Sequence, residues 1–527
     1  MATTDKYDRQ LRLWGAAGQQ KLMATKLLLL NAGPTGSEVL KNLVLPGVGS
    51  FEICDDQTVC QADLGNNFFV KSDDLNRPRA QVVTEWMLEM NSDVQGTYRV
   101  ASPSEVLEID IDYVKRFNMV IATQMTEPSL SKLASYCHGN AIPLLILHSY
   151  GLIGYFRLQV PDHSIVDSKP DAPWHDLRIS QPFPELQKFA DSFDLASLDS
   201  HAHGHVPYVV ILIQSINEWK AAHGGQLPTG FALKEEFKAL VQSKSRGSFG
   251  HELNFTEAID NAFKAYTLPK DIIPDEVHDV LNHARMIKLT QSTSSFWFLA
   301  RALADYVEKH ACLPLSGHVP DMTAFTNDYV SLQKLYVEKA SRDCDEVFAL
   351  VRGLLENAGS PATSIARDEV AEFCKFASSI RMLQTRSLQD EVASVNLTEV
   401  DIEEENEKQS PLIWYFLIRA VQEYINEFGK YPGIDGEEEK DIKWLVEKAR
   451  NVVEKAQANE PFPPEWITND HAREVSRYFE AEIHNIAAIL GGIGSQEAVK
   501  IITHQFMPMN NTYIFNGITG CAATYNL

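Results

Sequence analysis

Residues 26–56 read KLLLLNAGPTGSEVLKNLVLPGVGSFEICDD. The run 26–31 (KLLLLN) is short, apolar and ends in a glycine-containing turn, the pattern of a first strand buried on both faces of a parallel sheet. Residues 37–45 carry a helical apolar pattern closed by Pro46-Gly47. Residues 51–54 (FEIC) form a second strand ending at Asp55-Asp56. Working outward, 77–90 reads as a helix, 97–100 and 119–122 as strands, and 129–137 as a helix. The stretch 143–148 (PLLILH) is another buried strand, and 154–160 (GYFRLQV) alternates like a half-exposed one. Strands alternating with helices at this spacing predict a doubly wound, Rossmann-like α/β domain.

Beyond residue 160 the pattern changes, and to about residue 480 the chain is helical. In FWFLARALADYVEKH, Phe296, Leu299, Ala300, Leu303 and Val307 share one helical face; in WYFLIRAVQEYINEF, Leu417, Val421, Tyr424 and Phe428 do. Stretches beginning at Ile211, Trp297 and Tyr415 each end in a stop where a Pro precedes a Gly by one to three positions. Their unequal separations argue for shared helix-stop chemistry rather than a solenoid. The acidic stretch 397–410 (LTEVDIEEENEKQS) reads as a solvated loop. Then the first pattern returns, with an apolar, Gly- and Ala-rich helix over 485–502 and strands over 511–516 and 522–526. The expected organisation is therefore an α/β domain built from 1–160 and 481–527, with a large, mostly helical insertion over 161–480.

Bulk properties narrow the function. The 527 residues, 44% hydrophobic, are enough for two or three cores. A formal charge of −24 disfavours nucleic acid and anionic membrane surfaces as partners. No apolar run reaches eighteen residues, so no membrane span is expected, and the opening MATTDK has no secretory core. Seven cysteines without CxxC pairs read as reduced thiols of the cytoplasm or nucleus and offer no zinc framework.

A phosphate-cradling G-x-G-x-x-G turn needs small residues and free N–H groups. Here the turn is Asn31-Ala32-Gly33-Pro34-Thr35-Gly36: two glycines remain, and Pro34 removes a donor. The acid pair Asp55-Asp56 stands where a ribose partner is expected. His201-x-His203-x-His205 is the most metal-like cluster, but Gly204 and Pro207 beside it suggest a solvated loop. Cys312, in Ala-Cys-Leu-Pro, reads as a packed structural thiol.

YDRQLRLWG at 7–15, the 26–56 stretch, DLGNNFFV at 63–70 and RPRAQ at 77–81 together resemble the adenylation domain of the ubiquitin-like-protein activating enzymes, the ThiF/MoeB family. The closing GGIGSQEAVKIITHQF and NNTYIFNG carry the resemblance to the C-terminus. Its length and large insertion resemble the regulatory half of the heterodimeric neddylation branch.

Carried over residue by residue, the resemblance implies a disabled site. The second Asp of the family's Asp-x-Asp falls on Gln57, its Arg on Asn66, its Gln on Asn67, its Lys on Arg79, and its magnesium-binding Asp near Met125. Adenylation depends on electrostatic stabilisation of phosphate and metal, which these residues do not supply; Arg79 keeps a charge but not a lysine's shape. No cofactor is then bound by this chain, and ATP and magnesium belong to a catalytic partner subunit. Arg9, or as second choice Arg12, is implied to reach that partner's ATP phosphates in trans. Tyr329, Leu332, Leu335 and Tyr336 share a helical face, implied to lie near the partner. A ubiquitin-like modifier and a conjugating enzyme complete the implied partners. The rivals are an active ThiF/MoeB-type adenylyltransferase and a dinucleotide-dependent oxidoreductase on the same layout.

Overall fold

The computed structural model describes residues 6–171, 175–246, 251–405 and 409–527. The chain divides into two units: residues up to His163 together with Met382–Leu527, and Ser164–Arg381.

The first unit is built on β1 (Lys26–Leu30), β2 (Ser50–Cys54), β3 (Gln95–Arg99), β4 (Met119–Thr123), β5 (Leu144–Tyr150) and β6 (Ile153–Gln159). Two three-residue strands, β7 (His163–Ile165) and β8 (Arg381–Leu383), precede β9 (Thr512–Asn516) and β10 (Cys521–Tyr525). The main sheet runs β10-β9-β6-β5-β4-β1-β2-β3. Neighbours from β3 to β5 pair in parallel, while β6, β9 and β10 close the other edge antiparallel. In β1, β4 and β5 nearly every residue is buried, as the apolar runs required. Each leucine removed from water there contributes about 1.5–3 kcal/mol.

The strand order reverses between β1 and β4, the switch point beside which open α/β sheets place their ligands. The helix Pro34–Val44 begins there, three residues before the start read from the apolar pattern, because Pro34 is pre-organised for the first helical position. Gly36 is required where it sits: a Cβ would strike the Asn31 carbonyl. The helix His484–Thr503 is long and apolar enough to cross a membrane by length and composition alone. It is a core helix, with Ile486, Ala487, Leu490, Ala498 and Ile501 buried and the helix laid on Pro34–Val44, β5 and β6.

Two expectations change. Residues 382–480 belong with the sheet, so the helical unit ends near 381 rather than 480. The helix Pro411–Phe428 explains this, since Leu412 to Ile418 share one core with Leu28, Val120, Ile146 and Tyr155. An apolar helical face says that it is covered, but not by what. The same helical layer and β9 make β6 buried along its whole length instead of half-exposed. Its polar side chains are satisfied inside: Arg157 pairs with Glu391, and Gln159 donates to the Ala134 carbonyl at 2.9 Å and accepts from the Leu388 amide at 2.8 Å.

The second unit is helical, with Tyr208–Ala222, Ser295–His310 and Thr326–Asn357 among its longest elements. Ser295–His310 stops on Ala311, in the left-handed region at φ 52°, as Pro411–Phe428 in the first unit stops on Gly429 at φ 66°. The reversal thus comes from the residue directly after the helix, ahead of the Pro. Leu332 and Tyr336 are buried in this unit's own core, with Tyr329 and Leu335 packed against it. Tyr336 donates to the Leu177 carbonyl at 2.5 Å and Tyr329 to that of Val319 at 3.1 Å. Leu332 and Tyr336 are thus core residues of this unit, which leaves Tyr329 and Leu335, both half-buried, as the part of the stripe that a partner could still reach.

His201 and His203 lie on a short helix, Ser200–His203, rather than in a solvated loop. His203 is buried, its Nδ1 2.7 Å from the Glu252 carboxylate and its ring stacked on Phe255. Of the acidic stretch 397–410, residues 406–408 lie outside the described ones; Leu397 is buried, and Ile402 to Glu404 form a turn.

Candidate functional site

The turn between β1 and the helix Pro34–Val44 is where a nucleotide's phosphates would be cradled. Asn31 holds a left-handed conformation at φ 65°, which Asn tolerates better than most residues, and its Nδ2 donates to the Thr123 carbonyl at 2.8 Å. The Ala32 amide donates to Asp55 Oδ2 at 2.8 Å. Thr35 is the first residue of the helix after Pro34, and its free amide is the donor a phosphate would use.

A protein group already occupies that donor. Glu482, partly exposed as a residue, turns its carboxyl group inward, and Oε2 accepts from the Thr35 amide at 3.1 Å and the Thr35 hydroxyl at 2.5 Å. Oε1 fills the space over Gly33 that a Cβ would need. Burial raises the Glu482 pKa above its ordinary 4.5, although the Thr35 hydrogen bonds and Arg79 pull it down.

The remaining family positions are equally committed. Arg79, the lysine equivalent, does sit at the site, but Nε binds Asp55 Oδ2 at 2.8 Å and a terminal nitrogen lies 3.3 Å from Asp63. Burial opposes its charge, yet Asp55 and Asp63 outweigh that and hold its pKa above the ordinary value. Asp55 is wholly buried and also accepts from the Ala32 and Gln57 amides at 2.8 Å each, so it turns inward rather than towards a ribose. Gln57 is exposed, its Nε2 on Asp56 at 2.8 Å. Asn66 donates to the Glu482 carbonyl at 3.0 Å, and Asn67 to that of Ala32 at 3.3 Å. Met125 lies in the hydrophobic core. One guanidinium shared by two carboxylates, a third carboxyl on the helix start and an apolar Met125 do not fit a triphosphate with its magnesium.

YDRQLRLWG lies in the helix Asp8–Ala24, which kinks at Gly15 (φ 71°). Both ends are tied down. Tyr7 is buried, its hydroxyl 3.0 Å from Asp93. Trp14 donates to Gln19 at 2.9 Å, Gln19 to the Pro46 carbonyl at 2.8 Å, and Gln505 to the Trp14 carbonyl at 3.0 Å. Arg9, Arg12 and Leu13 face solvent between these anchors. Asp8 pairs with Arg12 at 2.8 Å, and Arg9 makes no ion pair among the described residues. Cys312 is buried, and burial raises its thiol pKa despite the nearby Arg178.

Glu482 escaped the sequence reading. It belongs to no motif, and it meets Thr35 across 447 positions of chain. An acid just ahead of an apolar helix was its only trace.

The reversal at β1 and β4 and the turn beside it define a Rossmann-type, doubly wound α/β fold. The model of the ThiF family matches residues 7–521, and the chain belongs to that family. Within it, the chain belongs with the NEDD8-activating enzyme E1 regulatory subunits. It is 38% identical to the one from Xenopus laevis over 530 residues, 99% of this chain and 98% of that one. It is 38% identical to the Arabidopsis thaliana regulatory subunit AXR1, over 97% and 94% of the two chains. Among solved structures, E. coli MccB aligns with 30% of this chain and 49% of its own, at 20% identity and a TM-score of 0.28.

Proposed function

We propose that this chain is the non-catalytic half of a heterodimeric activating enzyme for the NEDD8-type modifier, lending structure and one cation to a partner that holds the ATP. The observation that carries this reading is the state of Arg79. Among the described residues, the guanidinium at the phosphate turn is engaged by Asp55 and Asp63 and has no charge left for a nucleotide. Adenylation then belongs to the catalytic subunit, with its own ATP and magnesium. That subunit activates the modifier's C-terminus, captures it as a thioester and passes it to a conjugating enzyme and on to cullins, in the cytoplasm or nucleus.

Arg9 is this chain's contribution to the chemistry. A guanidinium is permanently charged and presents a fork of donors suited to phosphate. The helix carrying it is held at Tyr7 and Trp14, so little ordering entropy is lost when it meets its target. Arg12 ranks second because Asp8 already engages it.

Reconstitution with the catalytic subunit tests this. Arg9→Ala is expected to slow ATP-dependent adenylation roughly a hundredfold or more, the loss typical of one aimed donor, with the heterodimer intact by gel filtration. Arg9→Lys recovers part of the rate, because charge survives and the fork does not. An unchanged rate for Arg9→Ala removes the assignment.

A further inference from the structure

We propose that Glu482 is a tethered occupant of the phosphate seat, so that the site is closed by a built-in plug and not only by the loss of binding residues. The inference deepens the proposed function and rests on its reading that this turn takes no nucleotide.

Three features single out Glu482 from an ordinary helix cap. First, a cap is normally local, whereas this carboxyl group arrives from the far end of the chain and accepts from both the amide and the hydroxyl of Thr35. Second, its other oxygen occupies the clearance over Gly33, the space a glycine leaves for a phosphate to approach the backbone. Third, the segment bearing it is pinned from two sides. Asn66 donates to the Glu482 carbonyl at 3.0 Å, and the Gly151 amide donates to the Ala481 carbonyl at 2.9 Å. Two residues on, His484 Nε2 lies 3.3 Å from Glu38 on the same Pro34–Val44 helix. These contacts hold the backbone that bears the carboxyl group against the site, so an incoming anion competes with a tethered ligand of high effective concentration.

Removing the plug should therefore uncover a seat for a small inorganic anion: the Thr35 amide and hydroxyl, the Gly33 clearance and the field of the helix start. A neutral side chain of the same size should leave it shut. The test uses the full chain, wild type and with Glu482→Ala, Glu482→Ser and Glu482→Gln, unfolded thermally in sodium chloride, phosphate or pyrophosphate at matched ionic strength. Wild type and Glu482→Gln are expected to show only the small, non-saturating rise that excluded phosphate salts give any fold. Glu482→Ala and Glu482→Ser start lower and rise saturably with pyrophosphate, by about 2 °C at ten times the dissociation constant. The serine variant keeps a hydroxyl for the helix start should alanine fail to fold in chloride, and folding recovered only in pyrophosphate also supports the plug. Folded Ala and Ser variants indifferent to pyrophosphate overturn it, as do variants that no anion restores. Saturable pyrophosphate binding by wild type instead overturns the reading that the native turn is closed, a separate failure.

Discussion

Gly491 and Gly492 are neighbours on one helix, and replacing each with alanine should shift stability in opposite directions. In the interior of His484–Thr503 either substitution removes the backbone entropy cost of glycine, a gain of about 0.5–1 kcal/mol. At Gly492 a new Cβ meets nothing within 4 Å, so that gain stands. At Gly491 it would lie 2.6 Å from Glu38 Cβ, 2.9 Å from the Glu38 carbonyl carbon and 3.0 Å from the Val39 amide nitrogen. Two of these are backbone atoms of the Pro34–Val44 helix, which cannot rotate aside, so the helices must separate. Overpacking of this kind costs roughly 1–3 kcal/mol, leaving Gly491→Ala about 1–2 kcal/mol less stable than wild type and about 2 kcal/mol or more below Gly492→Ala. Hydrogen exchange read by mass spectrometry on peptides from 484–503 and 34–44 suits a two-unit chain, because it reports local opening rather than one global transition. Both segments should exchange faster in Gly491→Ala and no faster than wild type in Gly492→Ala. Equal protection in the two variants refutes the close crossing, and with it the frame that carries Glu482 to the helix start.

Other expected outcomes follow from the buried charges of the sheet unit. Glu391→Ala strands the Arg157 guanidinium, wholly buried on β6, and removes the 2.9 Å acceptor of the Tyr415 hydroxyl. An uncompensated buried charge of this sort costs about 3–5 kcal/mol, measured by urea unfolding; a loss under 1 kcal/mol contradicts the buried pair. Burial pushes the His148 pKa from 6.5 down to about 4. The unfolded chain therefore takes up a proton first, and stability falls as pH drops from about 6.5 towards 4, by about 3 kcal/mol in all. His148→Asn should flatten that part of the pH–stability curve. Glu482 has the opposite sign: its folded pKa is raised, so its contribution is full below about 4.5 and lost as pH rises through the folded value. Glu482→Gln should accordingly gain on wild type as pH increases above 4.5, and a constant difference would contradict it.

The sheet was legible because its signals are local. Four consecutive leucines, a Gly-Pro-Thr-Gly turn and an acid pair at the next strand end specify β1, the helix and β2 almost without tertiary information. The departures of the phosphate turn from the family pattern were also legible, since a Pro, an Asn or a Met in place of a free amide or a charge is visible one residue at a time. What the pattern did not disclose was which surface covers which. Tyr329, Leu332, Leu335 and Tyr336 form a clean apolar stripe, and nothing in such a stripe separates a unit's own core from a docking face. The helices of 382–480 raised the same ambiguity, as did the strand 154–160, whose alternation suggested one exposed face although Arg157 on it has a buried partner in Glu391. Glu482 was hardest of all, since its role depends on a contact spanning nearly the whole chain.

Titration of the purified chain with ATP in the presence and absence of magnesium, followed calorimetrically, tests the central claim most directly. No heat of binding is expected, since Arg79 is neutralised and the Thr35 amide is occupied. Micromolar uptake that requires magnesium would mean that the site is live and that the chain carries out adenylation chemistry of its own.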